Sequence, residues 1–201
     1  MKVGRYLSVV LILALTYGAA DAQEKKESFI KGYSGGMMLH TGYLSGCDNP
    51  RGYNPQGATF GIGGVAKVHM GKHLRAGFEG YVSTMNLMDN GSYNKVFWTG
   101  LLADWYWKAG RFIPYAGLTV GGGMETSHYM FAGNKEDWIS EPDAVFHKEA
   151  FFAVDPFIGV EYALTEAMHL TLKTDWLLAL NKNGINLPTG PRIYLGFIFS
   201  H

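Results

Sequence analysis

Ala58-Thr59-Phe60-Gly61-Ile62-Gly63-Gly64-Val65-Ala66-Lys67-Val68-His69-Met70, then Gly71-Lys72-His73, then Leu74-Arg75-Ala76-Gly77-Phe78-Glu79-Gly80-Tyr81-Val82 is the stretch that decides the fold. In the first run the even positions Ala58, Phe60, Ile62, Ala66, Val68 and Met70 are apolar. Thr59, Gly61, Gly63, Lys67 and His69 hold most of the odd ones. After the Gly-Lys-His turn, Leu74, Ala76, Phe78 and Val82 oppose Arg75, Gly77, Glu79 and Tyr81. A period of two is that of a β-strand, whose successive side chains point to opposite faces. The pair reads as two strands joined by a tight turn.

The same alternation recurs along the chain. Tyr33, Met37, Leu39 and Tyr43 mark one segment; Phe97, Leu101, Ala103, Trp105 and Trp107 another; Ala116, Leu118 and Val120 a third. Phe152, Val154, Ile158, Val160 and Tyr162 follow, then Leu170, Leu172, Trp176, Leu178 and Leu180, and finally Ile193, Leu195, Phe197 and Phe199. The pattern predicts eight strands, and no segment has sustained helical spacing of apolar residues. Connections at Gly71-Lys72-His73, Ala109-Gly110-Arg111 and Leu164-Thr165-Glu166-Ala167 are short. Those at Gly46 to Gln56, Ala132 to Glu149 and Asn181 to Gly190 are long, and Asp89-Asn90-Gly91 is a turn on the same side. Short and long connections alternate, as in an up-and-down meander with all its short turns at one end.

Composition narrows the environment. The chain has 201 residues, 47% of them hydrophobic and 17% charged, so it is a folded chain. Its 17 basic residues balance its 17 acidic ones, which leaves no basic footprint for a nucleic-acid partner. Cys47 is the single cysteine, so neither an intrachain disulfide nor a cysteine zinc cluster can form. Lys2 and Arg5 precede an apolar run from Leu7 to Leu15, and Ala20-Asp21-Ala22 forms a small-x-small cleavage site before Gln23. Residues 1–22 therefore read as a secretory signal peptide and residues 23–201 as the exported barrel domain. The apolar run is too short for a membrane-spanning helix.

Alternation alone does not say which parity faces a core. The polar parity is rich in Gly, which suits a crowded concave interior, since eight strands leave barely enough room for side chains. It also carries Lys67, Arg75, Lys108, Lys173 and Arg192 against Glu79, Asp104, Glu125, Asp155, Glu161 and Asp175, charges able to neutralise one another inside. Tyr81, Tyr106, Tyr115 and Tyr194 share that parity. The apolar parity places Tyr43, Trp105, Trp107, Tyr162 and Trp176 toward strand ends, as an interfacial aromatic girdle would require. The expected fold is all-β: an eight-stranded antiparallel up-and-down transmembrane β-barrel, with Leu118 toward lipid and Glu79 toward the lumen.

The Gly-rich stretch Pro114-Tyr115-Ala116-Gly117-Leu118-Thr119-Val120-Gly121-Gly122-Gly123 and the closing Tyr194-Leu195-Gly196-Phe197-Ile198-Phe199 resemble those of small Gram-negative outer-membrane β-barrel proteins of the OmpA/OmpX-like type. The resemblance covers essentially the whole mature chain. It implies an integral outer-membrane location, contact with outer-membrane lipid and lipopolysaccharide, and insertion by the barrel assembly machinery. Many relatives end on the aromatic residue of the last strand; here Ser200 and His201 follow Phe199.

Residues able to carry chemistry are few. The seven histidines form no His-Glu-x-x-His or comparable ligand pair, and His69, His73 and His169 fall near short-turn strand ends. Ser83 and Ser127-His128 are the candidates for a lipid-modifying enzyme, but adjacent Ser127 and His128 on a strand point to opposite faces. Asp48, Asn49, Glu136, Asp137, Glu141 and Asp143 lie in long loops without EF-hand spacing and read as solvated charges. Tyr129, Phe131 and Trp138 are candidate exposed loop aromatics for extracellular contacts. No catalytic, cofactor-binding or metal residues are expected. The leading expectation is a barrel with a structural, adhesive or minor-permeation role and a side-chain-filled interior. The alternatives are an outer-membrane lipid-modifying enzyme and a secreted soluble barrel binding an apolar ligand.

Overall fold

A computed structural model describes residues 29–46, 56–87, 92–131, 143–180 and 187–201. Eight strands run in chain order: β1 (Ile30–Ser45), β2 (Gln56–Met70), β3 (Leu74–Asn86), β4 (Tyr93–Tyr106), β5 (Phe112–Phe131), β6 (Asp143–Ala163), β7 (Met168–Leu180) and β8 (Thr189–Ser200). Each is antiparallel to the next, and β8 closes on β1 from Ser34↔Ser200 to Ser45↔Thr189. The sheet therefore has no free edge around its girth, and its ladders satisfy the backbone N–H and C=O groups. The closing ladder runs past Phe199: His201 donates its backbone N–H to the Tyr33 carbonyl at 2.8 Å and accepts from the Tyr33 N–H at 2.9 Å. The two residues after the last aromatic thus extend the seam.

The register sets the width. From Tyr106, direct partners lead through Tyr115, Gly159, Lys173, Tyr194, His40, Gly61 and Ser83 and return to β4 at Val96, ten residues from the start. With a rise of ~3.3 Å per residue and about 4.8 Å between strands, that stagger tilts the strands by ~40° and leaves a lumen that side chains can fill.

Polarity follows the parity expected from the sequence. The outward positions include Met37, Phe60, Phe78, Leu101 and Ile158, each more than 60% exposed. The inward set includes Lys67, Arg75, Glu79, Asp104, Asp155, Glu161, Lys173, Asp175 and Arg192, all buried. Tyr81, Tyr106, Tyr115 and Tyr194 are buried with them, and Leu118 is exposed. Of the girdle residues, Tyr43, Trp105, Trp107 and Trp176 are exposed outward. Tyr162 is half-buried against Phe112, with ring centroids 5.0 Å apart.

Three expectations are corrected. Lys108 lies beyond the end of β4, exposed at the turn, because the chain leaves the ladder at Tyr106; it is not a lumen charge. The long connection after β5 is shorter than the span 132–149, since β6 begins at Asp143 and pairs with β5 from Phe131↔Asp143 onward. Similarly, β8 begins at Thr189, so Gly190 belongs to the strand. Residues 1–22, Cys47, Asp48, Asn49, Asp89, Asn90, Gly91, Glu136, Asp137, Trp138 and Glu141 lie outside the described residues.

Turn chemistry matches the short end. Gly71 and Gly110 have φ of 60° and 65°, a left-handed conformation that side chains with a Cβ adopt only at a cost. At the opposite end β5 and β6, with 20 and 21 residues, outrun their neighbours. β6 meets β7 only as far as Phe152↔Leu180, and β4 meets β5 as far as Tyr93↔His128, so the ends of β5 and β6 rise above the rest of the wall.

Replacing Leu118 by Arg puts a charge on the outward face of β5 opposite Ala103 and Pro156. Leu118→Arg is expected to destabilise the barrel by ~2–4 kcal/mol in lipid vesicles, read by urea unfolding and heat-modifiable gel migration. Wild-type stability for this variant would reverse the assignment of inside and outside.

Candidate functional site

The site with the densest chemistry is the lumen, and glycines make room for it. Large inward rings sit on glycines directly across the ladder. Tyr81 pairs with Gly63, Tyr115 with Gly159 and Phe157 with Gly117. A Cβ on Gly63 would come within 2.0 Å of the Tyr81 ring, and one on Gly159 within 2.4 Å of the Tyr115 ring. The glycines of the polar parity are thus the floor on which the aromatic side chains lie.

Two ionic networks fill the space between the rings. Near the short turns, Lys67 donates to Asp104 Oδ2 at 2.8 Å, and Arg75 donates from Nε to Asp104 Oδ1 and from Nη1 to Glu161 Oε1, both at 2.7 Å. His169 Nδ1 lies 3.2 Å from Glu161 Oε2, and His69 Nε2 lies 2.8 Å from Ser34 Oγ. These contacts join β1, β2, β3, β4, β6 and β7. Further toward the long connections, Lys173 donates to both Glu79 oxygens at 2.9 and 2.8 Å, while Thr119 and Tyr81 donate to the same carboxylate. Arg192 takes Asp175 through Nε and Nη2 at 3.0 and 2.9 Å and reaches Asp155 at 3.2 Å.

Aromatic faces cover the cations. The Lys67 ammonium lies 4.6 Å and the Arg75 guanidinium 5.1 Å from the centre of the Tyr115 ring. Lys173 stands 4.4 Å from the Phe157 ring, and Arg192 stands 5.2 Å from the Trp98 ring. Such contacts strengthen once water is excluded. Beyond the second network Leu44, Val96, Phe151, Ala153 and Leu177 are buried together, beside the buried polar side chains of Thr59, Ser83, Asn94 and Ser127. Glu125, opposite Val96 on the ladder, is buried and accepts a hydrogen bond from Asn94.

The structure separates some enzyme candidates and joins others. Ser127 is buried inward, while His128 stacks on Phe146 at 4.4 Å on the other face, as adjacent strand residues must. Ser83 is also buried, but its Oγ lies 2.8 Å from His40 Nε2, a pairing across 43 residues that strand periodicity could not disclose. Among the described residues His40 Nδ1 has no hydrogen-bond partner. Among the described residues no group of three His, Cys, Asp or Glu could hold a metal ion. Tyr129, expected on a loop, is a buried inward residue of β5, and Phe131 is the last residue of that strand. Among the described residues Phe146, within the span expected as loop, is an exposed aromatic there.

A closed eight-stranded barrel, apolar outside and charged within, has the architecture of the small outer-membrane β-barrel proteins. Among solved structures it is similar to Neisserial surface protein A, with a TM-score of 0.60 at 13% identity over 86% of this chain and 99% of that one. It is also similar to the outer membrane protein OprG from Pseudomonas aeruginosa, at 0.54 and 12% over 85% and 95%. The attachment invasion locus protein Ail of Yersinia pestis gives 0.52 and 8% over 85% and 99%. By sequence, no protein-family model and no curated protein matches the chain.

Lys173→Met removes the cation from Glu79 while leaving that carboxylate buried. The single substitution is expected to cost about 3–5 kcal/mol of unfolding free energy, and the double variant Lys173→Met/Glu79→Gln much less. Equal losses for single and double variants in urea would show that the pair is not coupled.

Proposed function

We propose that the chain is an integral outer-membrane barrel with a structural or adhesive role, its long connections on the outer side and its lumen closed to bulk flow. Residues 1–22 serve as the export signal, released after Ala22, and the barrel assembly machinery receives the closing strand β8. One observation carries the membrane reading: large apolar side chains cover the outside of a barrel whose buried side chains include four Lys and Arg. A soluble barrel that carries an apolar ligand needs the opposite polarity, with Lys and Glu outside. The orientation follows from the general habit of such barrels, short turns inside and long loops outside. An adhesive role draws support from those long connections and from exposed Phe146 on the extension above the wall.

Closure of the lumen rests on the two ionic networks and the buried side chains above them, Leu44, Val96, Phe151 and Leu177 among them. A second reading, a lipid-modifying enzyme, draws on the Ser83–His40 hydrogen bond alone. Ser83 is only 1% exposed and inward, away from the lipid face, which favours a structural part for the pair.

Planar-bilayer recording of the refolded protein is expected to show conductance far below that of a sixteen-stranded porin, whose wider barrel leaves an aqueous channel. Large, stable openings would overturn the closed lumen. Ester hydrolysis by the wild type that disappears in Ser83→Ala would instead establish the enzyme.

A further inference from the structure

The upper ionic network is one cation short. Lys173 and Arg192 face three carboxyl groups, Glu79, Asp155 and Asp175, and all five side chains are buried. Lys173 satisfies Glu79 through both oxygens, and Arg192 satisfies Asp175 through Nε and Nη2. Asp155 is left with one contact to a cation, its Oδ2 sharing Arg192 Nη2 with Asp175 at 3.2 Å. Its Oδ1 has no hydrogen-bond partner among the described residues. The network nearer the short turns, by contrast, sets Lys67 and Arg75 against Asp104 and Glu161.

The titratable groups around Asp155 come from four strands: His40 on β1, Glu79 and Tyr81 on β3, Lys173 and Asp175 on β7, and Arg192 and Tyr194 on β8. On β5 the residue opposite is Thr119, which does not titrate. The Asp155 and Asp175 carboxyl groups also lie within hydrogen-bonding reach of each other. Two ionised carboxylates repel at that range, whereas one proton between them makes a carboxyl–carboxylate hydrogen bond. The same proton brings the network to neutrality.

This pair sits at a gap in the wall. Ladder partners of β6 and β7 run down to Val154↔Leu178 and resume at Phe157↔Asp175, so Asp155 and Pro156 pair with nothing on β7. Pro156 has no N–H to donate. On the outer surface the gap coincides with a cleft of about 460 Å³ lined by Ala116, Pro156, Ile158, Thr174 and Trp176 among others. Across it, contacts between side chains stand in for the missing ladder bonds, with Arg192 holding Asp155 of β6 and Asp175 of β7 together.

We propose that Asp155 and Asp175 share one proton, and that this proton latches β6 to β7 across the gap at Pro156, so that its loss loosens the seam. The folded chain then binds one proton more than the unfolded chain, in which both aspartates ionise freely. Stability therefore falls as pH rises, until the pair ionises in the folded state as well. Over that window the unfolding constant rises about tenfold per pH unit.

Urea unfolding of the full refolded chain, stepped from about pH 5 to about pH 9, tests the latch. Asp155→Asn supplies an amide that hydrogen-bonds Asp175 without a titrating proton. It is expected to lose one proton's worth of the wild-type slope and to be the more stable of the two at the alkaline end. His40→Gln should keep the wild-type slope; a slope lost there instead would put the proton on the imidazole and overturn the proposal. Equal slopes in the wild type and Asp155→Asn would overturn it too. Hydrogen exchange reads the seam: raising the pH should speed the Leu177 amide relative to that of Leu102, which has ladder partners on both sides, in the wild type and not in Asp155→Asn. A constant ratio would remove the latch. Should Asp155→Asn fail to fold, the wild type labelled with carbon-13 at its aspartate carboxyls still decides the matter. One carboxyl with the chemical shift of a protonated acid is expected at neutral pH, and a spectrum of ionised aspartates alone would contradict the shared proton.

Discussion

Closure of β8 on β1 with a ten-residue stagger is the constraint on which the rest of the structure depends. In hydrocarbon an unpaired backbone group costs several kcal/mol, so the sheet must close, and closing eight strands fixes a narrow lumen. Everything inside must then fit a cylinder little wider than two side chains. Glycine opposite a large ring is the solution that Gly63–Tyr81 and Gly159–Tyr115 share. The ring fills the axis, and the missing Cβ lets it lie flat on the facing strand.

The charged lumen follows from the same closure. Because the apolar side chains are outside, the inward parity is free to be polar, and polar groups withdrawn from water must find partners. Arg75 bridges Asp104 on β4 and Glu161 on β6, and Arg192 bridges Asp175 on β7 and Asp155 on β6. Each guanidinium holds the carboxylate directly opposite on the neighbouring strand and reaches a second one further round the barrel, from β3 to β6 and from β8 to β6, so the ion pairs tie strands that the ladder does not. Such pairs are weak contributors to net stability compared with an apolar core of equal volume. Their effect is on shape: removing one partner leaves a buried charge, so the arrangement of strands is strongly specified.

Strand periodicity was sufficient for the parity of every strand, because one face had to be apolar for lipid and the other small or charged. Together with the glycines and balanced charges of the polar parity and the girdle aromatics of the apolar one, it places Leu118 outside and Glu79 inside. Strand ends were less legible. Asp143 to Glu149 carries charges and a histidine that look like loop composition, yet β5 continues beside it and supplies the ladder, so the strand persists above the apolar band. The same error put Phe146 in a loop and hid the aromatic row it shares with Tyr93 and His128. Lys108 failed in the opposite sense, since alternation continued by one step past the last ladder pair. Contacts between distant strands, such as Ser83 with His40 or Lys67 with Asp104, depend on the stagger, which no local pattern encodes.

The inversion of the barrel is its central property, and two of its five tryptophans test it directly. Trp98 is fully buried beside Arg192 in the lumen, whereas Trp176 is 51% exposed on the outer wall. Single-tryptophan variants that retain one or the other, with the remaining four changed to Phe, can be refolded into vesicles containing lipids brominated along their acyl chains. Bromine quenches indole fluorescence only at contact range, so Trp176 should be strongly quenched and Trp98 nearly unaffected. Quenching of Trp98 with Trp176 protected would contradict the inside-out barrel.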